Sequence, residues 1–147
     1  MKLLQNKVER LIQLGCDGIS KYPESDMTYK ASPEKWSKKE ILGHLIDSGI
    51  NNLQRFTEIQ FEDTPYSIRK YKQNELVIAN DYQNSEIKEL VDFWKAINNR
   101  IFYLFSIQNE ESLSFKIVFD TGDVSDLRFL MEDYVNHFEH HLNQILN

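Results

Sequence analysis

Residues 125–146, SDLRFLMEDYVNHFEHHLNQIL, contain the pattern that decides the fold class. Apolar residues recur in this stretch every three or four positions, which is typical of an amphipathic helix with one face in a core. We therefore predict a helix from about Ser125 to Leu146. Its apolar face comprises Leu127, Leu130, Met131, Tyr134, Phe138, Leu142 and Ile145.

Three other stretches show the same helical periodicity. They are residues 2–21, a stretch from Ser37 to about Glu62, and a stretch that runs from the candidate cap Ser85 to Ile107. Ser37 is followed three residues later by Glu40, the spacing of a capping box at a helix start. Four long amphipathic helices without an internal repeat predict an all-α fold, a four-helix bundle.

Two connections between these helices have mixed composition. Residues 21–35, KYPESDMTYKASPEK, hold two of the three prolines and predict an ordered but irregular segment. Residues 63–84 are polar and aromatic, with a short helix expected at about Asn74 to Ala79. The side chains expected to anchor the first connection to the core are Tyr22, Met27 and Tyr29.

The pattern changes in residues 108–124, just before the last helix. Apolar and polar residues alternate there, and the turn sequence Asp120-Thr121-Gly122-Asp123 follows. Alternation with a period of two predicts a strand. We expect a short extended or β-like segment before the last helix.

The bulk properties limit the classes of function. The 147 residues and 17.5 kDa match one domain spanning residues 1–147, with 41% hydrophobic residues for its core. A net charge of -6 disfavours a nucleic-acid partner. No apolar run reaches the roughly 20 residues of a membrane span, so we expect no membrane partner and a cytoplasmic location. The expectation of a small-molecule substrate rests on the candidate site residues below.

Histidines provide the strongest chemical signal. His137 and His141 lie four residues apart on the apolar side of the last helix, a spacing that lets two imidazoles bind one metal ion. His140 and Glu139 fall at or beyond the edge of that face. The spacing equally allows core histidines that bond to backbone or carboxylate groups, so it leaves a metal site as one of two interpretations.

A polar line on the second helix could face these histidines. His44, Ser48, Asn52 and Arg55 follow one another at steps of four, four and three residues. Polar groups inside a bundle must be hydrogen-bonded or solvated. The line therefore indicates either a functional interior or a solvated face of the helix.

Three segments resemble the DinB-like family, in particular its YfiT-like metal-dependent bundles. They are WSKKEILGHLIDS at 36–48 with NLQRF at 52–56, EDYVNHFEHHLNQI at 132–145 and the third-helix sequence DFWKAIN at 92–98. The resemblance covers most of the chain from Trp36 onward. The two segments that contain histidines are its most specific parts.

The resemblance implies a four-helix bundle in which one histidine of the second helix and an i,i+4 pair of the last helix hold a divalent metal. These ligands map onto His44, His137 and His141. It also implies a metal-dependent transfer of a thiol such as bacillithiol, mycothiol or glutathione to an electrophile, or an isomerisation that uses such a thiol. Many relatives are described as metal-dependent hydrolases, and others have no assigned activity.

Three hypotheses follow for the reaction. In the first, Zn²⁺ or Ni²⁺ activates a low-molecular-weight thiol, while Arg55 or Asn52, on the line with Ser48, holds an anionic group of the thiol. In the second, the metal activates water to hydrolyse an amide or ester. In the third, the bundle is a non-catalytic protein that pairs with itself, as a homodimer, or with another protein.

The positions of the carboxylates favour one of the first two hypotheses over the other. Hydrolysis usually needs a carboxylate as general base, and no Glu or Asp occupies the inward positions beside His137 and His141, which favours thiol transfer. Asp47 and Asp133 lie one turn from a histidine and are candidates to accept an imidazole N–H, although each can equally be a surface carboxylate. No residue is assigned as the general acid or base.

Overall fold

Seven α-helices and three short strands make up the chain. A computed structural model describes all residues 1–147. The helices are α1 Lys2–Ile19, α2 Glu24–Thr28, α3 Lys38–Glu58, α4 Gln73–Ala79, α5 Ile87–Ser106, α6 Glu110–Leu113 and α7 Leu127–Leu146. The strands are β1 Tyr66–Ser67, β2 Lys116–Val118 and β3 Val124–Asp126.

The start of α3 follows the sequence pattern. The Ser37 hydroxyl accepts a hydrogen bond from the Glu40 backbone N–H, and the Glu40 carboxylate accepts one from the Ser37 backbone N–H, so the predicted capping box is confirmed. The helix ends at Glu58 rather than near Glu62. Residues 60–62 are exposed, and no buried contact holds another helical turn there.

Two other helix starts differ from the prediction. α5 begins at Ile87, and Ser85 does not cap it, because its hydroxyl donates to the Asp81 carbonyl instead. α7 begins at Leu127 rather than at about Ser125, and its cap residue Asp126 accepts from the Phe129 backbone N–H. Both shifts amount to two residues, which is within the usual fraying of helix ends.

The connections contain more regular structure than their composition indicated. Residues 21–35 include the short helix α2, in which Met27 is buried, whereas Tyr29 is 70% exposed and does not anchor the segment. The helix expected near Asn74 to Ala79 is confirmed as α4. A 3₁₀ turn at Tyr82–Asn84 follows it, and both pack against α3.

The extended segment before the last helix forms part of a small sheet. Its strand order is β1-β2-β3, with β1 parallel and β3 antiparallel to β2. Tyr66 pairs with Ile117, whose side chain is fully buried. The predicted turn contains Gly122 at a φ of 90°, a backbone conformation that glycine adopts without strain.

The four long helices pack in an order that differs from their order in the chain. α3 lies beside α5 and α7, and α1 lies beside the same two helices. α1 and α3 are therefore diagonal, as are α5 and α7, and the long connections 20–37 and 107–126 cross between opposite corners. Because α3 and α7 are neighbours, the two histidine-bearing segments can meet.

One continuous core fills the bundle. It contains 29 buried hydrophobic residues contributed by all four long helices and by the sheet. The predicted all-α four-helix bundle with a short β-like segment is confirmed. No helix combines the length and the apolar character required to cross a bilayer.

Candidate metal centre

Three histidines meet where α3 and α7 pack together. His44 lies on the buried face of α3, and His137 and His141 lie on successive turns of α7. One potential ligand atom from each lies within 4.8 Å of the others. His44 is fully buried, whereas His137 and His141 are half-buried. The cluster is therefore closed on the α3 side and partly accessible on the α7 side.

The three imidazole rings stand edge-on to one another. Their centroids are 5.0 Å apart for His44 and His137, 4.6 Å for His44 and His141, and 4.5 Å for His137 and His141. Nε2 of His44 faces Nε2 of His137 at 3.1 Å. Two nitrogens that bind one tetrahedral zinc ion lie about 3.3 Å apart. The spacing fits a shared divalent ion, and no cysteine or carboxylate belongs to the cluster.

Burial keeps these imidazoles neutral. Desolvation, reinforced by the neighbouring histidines, lowers the pKa of His44 from 6.5 to about 3 and that of His137 to about 4. Burial also lowers the pKa of His141, partly offset by its hydrogen bond to Gln144. Because a metal binds the neutral form of imidazole, the donor set is ready for a divalent cation at neutral pH.

The stability of the metal-free protein should fall as the pH drops below 6.5, the ordinary pKa of a histidine. Between that value and the folded-state pKa values of about 3 for His44 and about 4 for His137, the unfolded chain binds more protons. The free energy of unfolding therefore decreases on acidification. Thermal unfolding from about pH 7.5 to about pH 4.5 measures this loss.

The control for this experiment is the double variant His44→Gln, His137→Gln. Glutamine does not titrate, so the variant should show a shallower decrease in melting temperature over the same pH range. Equal pH dependence in the two proteins would show that these histidines are not the groups that take up the protons.

The Nδ1 atoms of the three imidazoles have different surroundings. His141 Nδ1 lies 2.7 Å from Gln144 Oε1, and His137 Nδ1 lies 3.4 Å from Ser48 Oγ. His44 Nδ1 is buried without a partner. The strongest Nδ1 contact in the cluster is thus made by Gln144.

Two side chains beside the cluster were not assigned a role from the sequence. Trp36 packs against His44 with ring centroids 4.8 Å apart, and Gln144 contacts His141. Their positions in the sequence could have identified them. Gln144 lies one helical turn after His141, and Trp36 directly precedes the cap of α3. Both side chains line one groove of about 510 Å³ on the surface.

His140 and Glu139 lie outside the cluster, which agrees with the helical spacing. His140 is exposed. Glu139 forms an ion pair with Lys7 of α1 at 2.6 Å. Neither side chain belongs to the group of potential metal ligands.

The two aspartates that were candidates to orient an imidazole lie elsewhere. Asp47 is buried and accepts hydrogen bonds from the Tyr82 hydroxyl at 2.6 Å and from the Asn80 amide at 3.2 Å. Burial raises its pKa. Asp133 is exposed. No hydrogen bond joins either carboxylate to a histidine. The Asp47 carboxylate is bonded to Asn80 and Tyr82 instead, and Asp133 lies on the exposed face of α7.

The polar line of α3 begins at His44 in the cluster and continues along the helix to Arg55. Ser48 and Asn52 are buried, and the Asn52 amide donates to the Ser48 carbonyl at 2.9 Å. Arg55 Nη1 lies 3.4 Å from Asn52 Oδ1, while Nη2 donates to the Arg69 carbonyl.

The Arg55 guanidinium lacks an acidic partner. It lies 5.4 Å from the centre of the Tyr71 ring, and no carboxylate forms an ion pair with it. Burial lowers its pKa. A half-buried guanidinium with free hydrogen-bonding capacity can bind an anionic group.

Comparisons with known proteins identify the family of this chain and structures with a similar fold. The model of the DinB superfamily matches residues 9–145. The fold is similar to that of YfiT from Bacillus subtilis, described as "a probable metal-dependent hydrolase with an unusual four-helix bundle topology", with a TM-score of 0.87 at 19% identity over 98% of this chain and 82% of that chain. No significant match is found among curated protein sequences.

A second similar structure is that of the mycothiol-dependent maleylpyruvate isomerase. The TM-score is 0.77 at 11% identity, and the match covers 98% of this chain but only 60% of the isomerase. A histidine-to-alanine mutant of the same isomerase matches with a TM-score of 0.76 at 10% identity. The likeness confirms the fold, and the family match confirms the resemblance seen in the sequence. The chain belongs to the DinB superfamily.

Proposed function

We propose that this protein is a metal-dependent transferase that activates a low-molecular-weight thiol for attack on an electrophile. The carrying observation is the cluster of three neutral imidazoles without a carboxylate or cysteine among them. His44, His137 and His141 would hold Zn²⁺ or Ni²⁺. With three protein ligands a coordination position would stay open, and a bound ion would supply Lewis-acid activation of a thiol or water there by lowering its pKa.

The remaining residues of the α3 line would bind the rest of the thiol. Arg55 provides a guanidinium without a carboxylate partner, and its positive charge can bind the anionic groups of the thiol. Ser48 and Asn52 lie between Arg55 and the histidines and connect them through polar contacts: Ser48 contacts His137, Asn52 donates to Ser48, and Arg55 contacts Asn52. These residues would orient the sulfur toward the cluster. We place the activity in the cytoplasm, where such thiols are kept reduced.

The second candidate function is hydrolysis of an amide or ester, which is supported by the description of the B. subtilis relative. This reaction would require a general base near the activated water. The Asp47 carboxylate accepts hydrogen bonds from Tyr82 and Asn80, and Asp133 is exposed, so neither lies at the cluster as a general base. The absence of a carboxylate in the cluster favours thiol transfer. A non-catalytic bundle would be favoured by a fourth protein ligand that closed the site.

Thiols should give a sulfur-to-metal charge-transfer band when added to the cobalt-substituted protein. Coordination deprotonates the thiol and gives the metal a soft donor. We expect the band with bacillithiol, glutathione or coenzyme A at millimolar concentration and its absence in His137→Ala. Arg55→Ala should weaken binding of anionic thiols more than that of neutral thiols.

The matched control is Arg100→Ala, which removes an exposed arginine on α5 and should leave thiol binding unchanged. A cobalt protein that shows no spectral response to any of the three thiols contradicts thiol transfer and moves hydrolysis ahead. Equal weakening of anionic and neutral thiols by Arg55→Ala would remove the assigned role of this arginine.

A further inference from the structure

The amide of Gln144 bridges two histidines on the surface of α7. Its oxygen lies 2.7 Å from Nδ1 of His141, and its nitrogen lies 3.4 Å from Nε2 of His140. The three residues occupy one face of the helix at spacings of three and four. His140 therefore contacts the amide that contacts His141, although His140 itself is not among the potential metal ligands.

The two ends of an amide have opposite hydrogen-bonding roles. The oxygen only accepts, and the nitrogen only donates. With Oε1 facing His141, the Nδ1 atom of that imidazole must carry the hydrogen, which leaves the lone pair on Nε2. With Nε2 of Gln144 facing His140, the His140 Nε2 atom must accept. The orientation of one amide thus determines the tautomer of His141.

We propose that Gln144 is a positioning residue that holds His141 as the Nδ1–H tautomer and directs its Nε2 lone pair into the histidine cluster. A ring nitrogen can bind a metal only if it is free of hydrogen, and the hydrogen bond of the other nitrogen decides which one is free. The same hydrogen bond limits rotation of the ring. Gln144 therefore prepares the ligand before any metal arrives.

Gln144 has more influence than the other neighbours of the cluster. His137 has only a 3.4 Å contact between Nδ1 and the Ser48 hydroxyl, which can either donate or accept. His44 has no partner at Nδ1, and its ring is held by burial and by the contact with Trp36. The amide contact at His141 is the only one that is both short and restricted to one direction. The hydrogen bond to Gln144 thus sets the tautomer of the half-buried His141 on α7.

The first test uses the metal-free protein and nuclear magnetic resonance. Long-range ¹H–¹⁵N correlation spectra distinguish an imidazole with hydrogen on Nδ1 from one with hydrogen on Nε2. In the wild type at about pH 8, where histidine is neutral, we expect the Nδ1–H form for His141. In Gln144→Leu we expect a mixture of tautomers, and Gln144→Glu should restore the Nδ1–H form because a carboxylate also accepts.

The second test measures zinc affinity by competition with a chelator, and it rests on the metal site of the proposed function. Loss of a hydrogen-bond partner of a metal-binding histidine costs about 10- to 100-fold in affinity, so we expect a decrease of this size in Gln144→Leu and recovery in Gln144→Glu. Asn143→Leu is the matched control. It removes an exposed neighbouring amide whose side chain makes no hydrogen bond, and zinc affinity should stay as in the wild type.

The two tests separate failure of this proposal from failure of the metal site. A wild-type His141 with hydrogen on Nε2 would overturn the positioning role whether or not zinc binds. Wild-type zinc affinity in a folded Gln144→Leu variant would overturn it as well. If the wild type binds no zinc, the proposed function fails, while the spectra of the metal-free protein still decide the tautomer.

Discussion

Replacement of His141 by alanine is expected to abolish tight binding of a divalent metal, whereas replacement of His140 should leave the metal content nearly intact. Loss of His141 leaves two imidazoles, and the affinity should fall by more than the roughly 10- to 100-fold caused by losing a neighbouring hydrogen-bond partner. His140 is exposed and lies 3.4 Å from Gln144, so its removal changes only a weak contact. The two variants differ by one position on the same helix.

The measurement is the metal content of protein purified without a chelator or a metal-affinity tag, followed by zinc affinity from chelator competition. His137→Ala should behave like His141→Ala because both histidines belong to the same cluster. Circular dichroism verifies that each variant is folded. Equal metal loss in His140→Ala and His141→Ala would show that the pair of ligands on α7 is wrongly assigned.

Replacement of Trp94 by alanine should destabilise the protein by about 3–5 kcal/mol, the usual cost of truncating a large buried aromatic residue. Trp94 is fully buried on α5 and packs edge-on against Phe138 of α7 at 5.5 Å. A Cβ atom on Gly15 of α1 would lie 2.3 Å from the Trp94 ring, so three helices meet at this side chain. The cavity left by alanine cannot be refilled without moving them.

Urea denaturation provides the free energy of unfolding for this comparison. Trp94→Phe should cost much less than Trp94→Ala, because a phenyl ring leaves a much smaller cavity than alanine does. Neither variant loses a hydrogen bond, since the buried indole N–H has no partner. Phe93→Ala, at an adjacent position that is 46% exposed, is the control and should change stability only slightly. A loss for Trp94→Ala no greater than that of the control would contradict the described packing.

Much of the secondary structure could be predicted because helical periodicity is a local property. The long helices were predicted to within a few residues at each end, and the capping box of Ser37 and Glu40 was identified from its spacing. The errors lie where local signals compete. Ser85 resembles a cap, but its hydroxyl bonds to Asp81. Tyr29 resembles a core residue, but it remains exposed.

The sequence by itself determined which residues could form a metal site. Helical spacing places His137 and His141 on one face of α7 and His44 on a polar line of α3, and it turns His140 away. Such statements need only the repeat of a single helix. The family resemblance then indicated that the two helices contribute to one site.

Only the tertiary structure decided how these elements meet. The diagonal arrangement of α1 with α3 makes α3 and α7 neighbours, and it depends on the long connections and on the packing of the core. Partners distant in the chain also decide the hydrogen bonds of single groups. Tyr82 and Asn80 donate to the carboxylate of Asp47, and the Arg69 carbonyl accepts from one nitrogen of Arg55. Burial between α3 and α7 lowers the pKa of His44 to about 3. These properties arise from contacts between residues far apart in the sequence, and the periodicity of a single helix cannot predict such contacts.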